Sequence, residues 1–168
     1  SDIKTTFKTV RKIKIKIKMI KCASLFSNYP IPYFLQKRLK DYNYVLNPSY
    51  VVLESIHYLA IRVCKNKESN LEALLFIWDD NNHKELNLTS YFKEVLALVK
   101  VADPKLFVMN NKVWCTFNTG YVNDIQNDIV LALLDITGVI NYYNCFFNER
   151  ARIEKNWAFF YHETQIKA

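Results

Sequence analysis

The stretch that decides the fold is Asn47-Pro48-Ser49-Tyr50-Val51-Val52-Leu53-Glu54-Ser55-Ile56-His57-Tyr58. A polar opening is followed by an apolar run, a polar pair and a second apolar run, which is the pattern of a β-hairpin. The pattern recurs at Asp103-Pro104-Lys105-Leu106-Phe107-Val108-Met109-Asn110-Asn111-Lys112-Val113-Trp114 and again in the segment from Asn156 to Ile166. The chain therefore contains an internal repeat whose copies begin 56 and then 53 residues apart.

Each copy of the repeat places two residues between its two apolar runs: Glu54-Ser55, Asn110-Asn111 and Glu163-Thr164. A two-residue hairpin turn needs positive φ at both positions and therefore favours Asn-Gly or Asp-Gly. The whole chain has only 2 Gly, and neither is in these turns. Asn110-Asn111 can still make the turn, whereas we expect the other two pairs to be strained or to use another turn type.

Further short runs rich in β-branched and aromatic residues predict strands at Tyr44–Leu53, His57–Val63, Leu71–Trp78, Leu106–Met109, Val113–Asn118, Ile129–Ile136 and Val139–Asn144. Polar clusters at 65–70, 79–84 and 123–127 separate them as predicted turns. Thr89–Val99 fits a helix that begins at a Thr/Ser cap, and it also fits a strand. Phe34–Tyr42 fits a short helix or a loop.

Four short strands in roughly 50 residues is the size of one β-propeller blade. The sequence thus predicts a mainly β fold, a partial β-propeller of about two to two and a half four-stranded antiparallel blades. Residues 1–42 would be a basic strand and a Pro-containing linker. Blade one would occupy 43–101, blade two 102–150 and the start of blade three 151–168.

Composition and charge exclude several classes of protein. With 51% hydrophobic and 15% aromatic residues, the chain of 168 residues is not intrinsically disordered. The net charge of +7 divides into +10 for residues 1–40 and −3 for the remainder, so the basic character of the whole chain does not indicate nucleic-acid binding. No apolar run is long enough for a transmembrane helix. The polar start, with no signal peptide visible, predicts a cytoplasmic protein.

Within residues 11–21, apolar and basic side chains alternate strictly from Lys12 to Met19. This period of two predicts a strand with its lysines on one face. Such a strand could bind phosphate or anionic lipid, but we favour an edge strand whose lysines block pairing with other sheets.

The four cysteines, Cys22, Cys64, Cys115 and Cys145, are far apart and lack zinc-binding spacing. They predict free buried thiols and no metal site. Neither a glycine-rich phosphate loop nor a nucleophile elbow is present, and no cofactor is expected.

The repeat openings resemble those of the five-bladed β-propeller glycosidases and glycoside phosphorylases, which include the arabinanase/xylosidase-like and mannoside-phosphorylase-like enzymes. The residues that carry the resemblance are Asn47-Pro48-Ser49, Arg62, Ala102-Asp103-Pro104-Lys105-Leu106 and Ile153-Glu154-Lys155-Asn156-Trp157. Where a mannoside-phosphorylase-like motif has an acidic residue and an arginine around Asp-Pro, this chain has Ala102 and Lys105.

The resemblance implies a sugar-binding funnel at the strand starts. Glycosidic cleavage requires two carboxyl groups, and the resemblance assigns these roles to Asp103 and Glu154. It implies substrate-binding roles, toward sugar hydroxyls, a phosphate or a pyranose face, for Asn47, Arg62, Lys105, Tyr121, Arg152, Asn156 and Trp157. Each of these residues also has a structural interpretation, in strand capping, blade packing or surface charge pairing.

Two functions follow as hypotheses. The first is a glycan-related protein, either a fragment of a propeller glycoside hydrolase or phosphorylase or a truncated and inactive copy. Enzymatic activity is expected only if the complete propeller exists. The alternative is a non-enzymatic binding or assembly module that forms a homo-oligomer or binds a partner through exposed sheet edges and the basic N-terminal strand.

Overall fold

The computed structural model describes residues 31–66, 70–120, 126–146, 148–149, 151–153, 155, 157–163 and 165–168. The chain divides into two compact units, Ser1–Gln36 and Lys37–Ala168. The strand predicted at 11–21 and Cys22 lie outside the described residues. Helix α1 spans Tyr33–Leu39, so the segment predicted as a helix or a loop contains a helix.

The first sheet is a four-stranded antiparallel meander in the order β1-β2-β3-β4. Its strands are β1 (Tyr44–Leu53), β2 (Ile56–Cys64), β3 (Glu72–Trp78) and β4 (His83–Asn87). The first three agree with the predicted strands within one residue at each end. The sequence did not predict β4, because its His-Lys-Glu opening reads as part of the preceding turn.

The second sheet repeats this architecture in the order β5-β6-β7-β8. Its strands are β5 (Ala102–Met109), β6 (Lys112–Asn118), β7 (Ile129–Asp135) and β8 (Gly138–Cys145). The hairpin of the third repeat pairs β9 (Phe160–His162) with β10 (Gln165–Lys167). The mainly β prediction is confirmed.

Helix α2 (Leu88–Leu96) follows β4 directly. Asn87 caps its N-terminus, since the side-chain Oδ1 accepts the main-chain N–H of Ser90 at 2.9 Å. Ala97 ends the helix in the left-handed conformation at φ 55°. Of the two interpretations of this segment, the helix is confirmed, but the predicted Thr/Ser cap is wrong because Thr89 and Ser90 lie within the helix.

The core lies between the two four-stranded sheets and α2. One face of the first sheet contributes Tyr58, Ala60, Leu75 and Ile77, and the second contributes Val113, Cys115, Phe117, Val130 and Ala132. Helix α2 adds Leu88 and Phe92, whose ring lies 4.7 Å from that of Phe117. Alternating side chains place one face of each strand in this layer.

The hairpin turns adopt the conformation that glycine usually provides. Glu54 and Ser55 have φ values of 50° and 66°, and Asn110 and Asn111 have values of 52° and 54°. Glu163, in the third copy, has a φ of 55°. Of the two possibilities expected for Glu54-Ser55, strain or another turn type, the turn is therefore strained, because neither residue favours the left-handed region.

None of the cysteines that the structure describes is in a disulfide. Cys64 and Cys115 are buried, as predicted, whereas Cys145 is only partly buried. Burial raises the pKa of the Cys115 thiol to about 12 and that of Cys145 to about 11. Within the described ranges, no helix has the length and apolar character that a membrane span requires.

Candidate functional site

The openings of the first two repeats form the same irregularity in the two sheets. The register of β1 against β2 shifts between Leu46 and Ser49, and that of β5 against β6 shifts between Ala102 and Lys105. The residues that begin the repeats, Asn47 and Asp103, have φ values of 50° and 51°. A proline follows each, and since proline cannot donate a ladder hydrogen bond it suits a bulge on an edge strand.

Strands β1 and β5 lie side by side, and residues 56 or 57 positions apart in the chain contact each other along their length. The side-chain Nδ2 of Asn47 donates to Oδ1 of Asp103 at 2.5 Å. Further along, the main-chain N–H of Leu106 donates to the hydroxyl of Ser49 at 2.8 Å. These polar contacts fix the position of the second sheet relative to the first.

The same relationship holds at the turn end of the two strands. Nδ2 of Asn111 donates to Oε1 of Glu54 at 3.0 Å, across residues 57 positions apart in the chain. Contacts at both ends and in the middle of the strands therefore connect residues that are 56 or 57 positions apart.

The carboxylate of Asp103 also accepts from an arginine of the first sheet. Nη1 of Arg62, near the end of β2, lies 3.0 Å from Oδ1 of Asp103. The side chains of Arg62 and Asp103 are 17% and 31% exposed, so this ion pair is partly shielded from water. Both contacts of Asp103 use Oδ1, and Oδ2 takes part in neither. Arg62 also holds a buried Nε that has no partner among the described residues.

A groove of about 520 Å³ lies where the two bulges meet. Within the described part of the chain, its lining comes from the two repeat openings: Asn47, Pro48, Ser49, Asp103, Pro104, Lys105 and Leu106. The lining combines a carboxylate, an amide, a hydroxyl and an ammonium group in a small space. Such a set supplies hydrogen-bond donors and acceptors together, which suits a ligand with several hydroxyl groups.

The structure brings together four of the residues predicted from the sequence. Asn47, Asp103 and Lys105 line the groove, and Arg62 contacts Asp103 directly. Ser49 was not assigned a role from the sequence, although it lies in the repeat opening. Its contact with the Leu106 N–H shows that it connects the two sheets.

The other predicted residues have different positions. The ring of Trp157 lies 6.4 Å from that of Phe159, which stacks on Phe107 of β5 at 5.9 Å. The main-chain carbonyl of Arg152 accepts the N–H of Asn127 at 3.2 Å. Trp157 thus belongs to an aromatic cluster beside β5, and Arg152 to the connection that follows β8. Tyr121, Glu154 and Asn156 lie outside the described residues.

In the part of the chain that the structure describes, no three His, Cys, Asp or Glu side chains are grouped closely enough to hold a metal ion. The predicted turn at Asp79-Asp80 is a turn, in which the carboxylate of Asp79 accepts the main-chain N–H groups of Asn81 and Asn82 at 2.7 Å each. These two bonds lower the pKa of Asp79.

Comparison with protein-family models, curated proteins and solved structures found no match to this chain.

Proposed function

We propose that the groove between the two repeat openings binds carbohydrate, and that the protein is a glycan-related protein built from consecutive propeller-type blades. The observation that supports this proposal is the contact between Asn47 and Asp103, the equivalent opening residues of two repeats, in the lining of one groove. In a propeller, the inner strands of all the blades begin around a central funnel, so equivalent opening residues converge there.

Three features support the propeller arrangement. Each four-stranded sheet is a meander whose strands are neighbours in chain order. The first strands of the two sheets lie side by side, with contacts between residues that are equivalent or one position from equivalent in the two repeats. The third hairpin continues the series, because Phe159, just before β9, stacks on Phe107 of β5. A third blade that followed the second would be expected to contact it beside β5 in this way.

The chemistry of the groove suits a sugar. Arg62 and Asn47 both donate to Oδ1 of Asp103, and Oδ2 of the same carboxylate would accept a hydrogen bond from a sugar hydroxyl. Lys105 would donate to a second hydroxyl or to a phosphate. For glycosidic cleavage Asp103 would act as the base or nucleophile, and Glu154 would supply the second carboxyl group. We propose this reaction, by hydrolysis or phosphorolysis, only for a protein that contains the complete ring.

Sugar binding can be tested by NMR titration of the full chain with D-mannose, D-xylose and L-arabinose, followed through the backbone amides. Binding should shift the amides of Asn47, Ser49 and Lys105, and Asp103→Asn should weaken the affinity at least tenfold. Asp80→Asn, an equal change of charge in the exposed β3–β4 turn, is the matched control and should bind normally. Absence of shifts at the groove with all three sugars, from a folded protein, would refute the proposal.

Catalysis requires a separate measurement. Release of nitrophenol from aryl glycosides of the same three sugars should be abolished by Asp103→Asn if the chain is an enzyme. A chain that binds sugar without turnover would be a carbohydrate-binding protein and not a glycosidase.

A further inference from the structure

The two four-stranded sheets have four edge strands, and the edges differ in how they are protected from pairing with other strands. An exposed edge presents unpaired N–H and C=O groups that can bind another strand. Proteins block this pairing with prolines, charged side chains, bulges, short strands or a covering element.

The inner edges, β1 and β5, are protected. Each contains a bulge and a proline, Pro48 and Pro104. They also lie against each other, and the Leu106 N–H of β5 is bonded to the hydroxyl of Ser49. Neither β1 nor β5 therefore presents an uninterrupted edge with which a further strand could pair.

The outer edge of the first sheet, β4, is protected in another way. It is only five residues long and carries His83, Lys84 and Glu85. Glu85 is paired with Arg38 at 2.8 Å, and the ammonium of Lys84 donates to the carbonyl of Thr137. A strand that approached this edge would disrupt these charged contacts.

The outer edge of the second sheet, β8, has few of these protections. Its eight residues, Gly-Val-Ile-Asn-Tyr-Tyr-Asn-Cys, include no charged residue and no proline. Ile140 and Tyr143 are 51% and 48% exposed. The register shifts between Leu133 and Leu134 because Ile140 is an extra, bulged residue of β8, and beyond it residues 141–145 pair regularly with β7. Among the described residues no strand pairs with the other side of β8, so the regular part of this strand is an uncharged edge.

The main-chain groups that face outward from this edge can be identified. The N–H of Tyr142 donates to the side-chain Oδ1 of Asn141 at 2.8 Å, which indicates that this N–H points away from β7. Because main-chain groups alternate in direction along a strand, Asn144 faces the same way as Tyr142. These two residues provide the outward donors and acceptors of the regular stretch.

We propose that β8 pairs with β8 of a second copy of this chain, in antiparallel orientation about a twofold axis at Tyr143. Tyr142 of each copy would then face Asn144 of the other, and the two residues would exchange both main-chain hydrogen bonds. The two Tyr143 side chains would form an aromatic cross-strand pair on the axis. The strand has no charge, so it does not repel its own copy, and an antiparallel pair uses the same surface on both chains. This proposal does not depend on carbohydrate binding.

The test is sedimentation velocity of the full chain from about 5 to 500 μM, where small interfaces associate and dissociate. The wild type should show a monomer–dimer equilibrium that 0.5 M salt does not weaken, since no charges are involved. Asn144→Pro removes an outward donor and no hydrogen bond to β7, and it should raise the dimer dissociation constant at least tenfold. Tyr143→Lys should do the same by placing like charges on the axis.

The matched control is Val99→Lys, which adds the same charge at a residue that is 73% exposed and remote from β8 in the chain. It should dimerise like the wild type. Circular dichroism and thermal melting establish that each variant is folded. A wild type that is monomeric at every concentration would overturn the proposal, as would a dimer that persists in folded Asn144→Pro. Assembly that grows beyond the dimer would also contradict it, because a twofold pair is closed.

Discussion

The side chains of Asn47 and Asp103 meet at 2.5 Å, from Nδ2 to Oδ1, although 56 residues separate them in the chain. Each is the first residue of a repeat, and each has a φ close to 50°. Contact between these equivalent residues places the openings of the first two repeats side by side. The polar groups therefore collect at one end of β1 and β5, while the apolar residues fill the layer between the two sheets.

The ion pair between Arg62 and Asp103 should stabilise this arrangement. We expect Arg62→Met to lower the free energy of unfolding by about 1–2 kcal/mol, because the partly buried carboxylate of Asp103 loses its charged partner. The loss is no larger because water still reaches part of this carboxylate. Methionine retains much of the aliphatic stem, so the change is mainly one of charge. Urea unfolding at neutral pH measures the effect.

A double-mutant cycle provides the control for this prediction. Asp103→Asn keeps an acceptor for Asn47 and removes the charge that Arg62 balances. In the Asp103→Asn background, Arg62→Met should therefore cost less than it does in the wild type. Equal costs in both backgrounds would show that the two side chains are not coupled.

The turn between β1 and β2 offers a stabilising substitution. Ser55 has a φ of 66°, a conformation that costs an ordinary residue about 1–2 kcal/mol and costs glycine little. Ser55→Gly should raise the free energy of unfolding by about 1 kcal/mol and the melting temperature by roughly 2–4 °C. Ser55 is a better choice than Glu54, whose side chain accepts the hydrogen bond from Asn111.

A serine-to-glycine substitution within a helix should destabilise the protein instead of stabilising it. Ser90 lies in the first turn of α2, where glycine costs about 0.5–1 kcal/mol because the helix restricts its freedom. Ser90→Gly should therefore lower the melting temperature. If both variants moved it in the same direction, the turn geometry would not be the cause of the effect at Ser55.

Much of the fold could be predicted from the repeat, because a hairpin with a two-residue turn fixes its own register. Strands β1 and β2 were placed within one residue of their ends for this reason. Strand β4 was missed because His83, Lys84 and Glu85 belong to an exposed edge, where burial imposes no apolar alternation. Helix α2 stayed ambiguous in the sequence because short apolar runs fit both periods, and the cap at Asn87 distinguishes them in the structure.

The candidate site was only partly predictable. The repeat alignment places Asn47 and Asp103 at equivalent positions, but sequence periodicity does not show that the two side chains touch. The role of Ser49 depends on the lateral packing of β1 against β5, which no local pattern encodes. Trp157 had two interpretations from the sequence, stacking on a sugar face or packing between blades, and its ring lies 6.4 Å from that of Phe159.

The cap of helix α2 gives a further prediction. Asn87→Ala removes the oxygen that accepts the Ser90 N–H and should lower the free energy of unfolding by about 1 kcal/mol. Asn81→Ala is the matched control, since Asn81 uses its main-chain N–H toward Asp79 and alanine retains that group. Chemical unfolding of the two variants distinguishes a capping effect from a general effect of losing an asparagine.

Stability at alkaline pH should depend on Cys115. Burial raises the pKa of this thiol from 9.0 to about 12, because the folded core disfavours the thiolate. Between these two values the unfolded chain releases a proton that the folded chain retains, so the free energy of unfolding falls as pH rises from about 9 to 12.

Cys115→Ala removes this contribution. It should be less stable than the wild type at pH 7, where alanine leaves a small cavity, and should lose less stability between pH 8 and pH 10.5. Urea unfolding at both pH values measures the difference, and Cys64→Ala serves as the control for loss of a buried thiol. Parallel losses in the wild type and Cys115→Ala would show that ionisation of Cys115 does not drive alkaline unfolding.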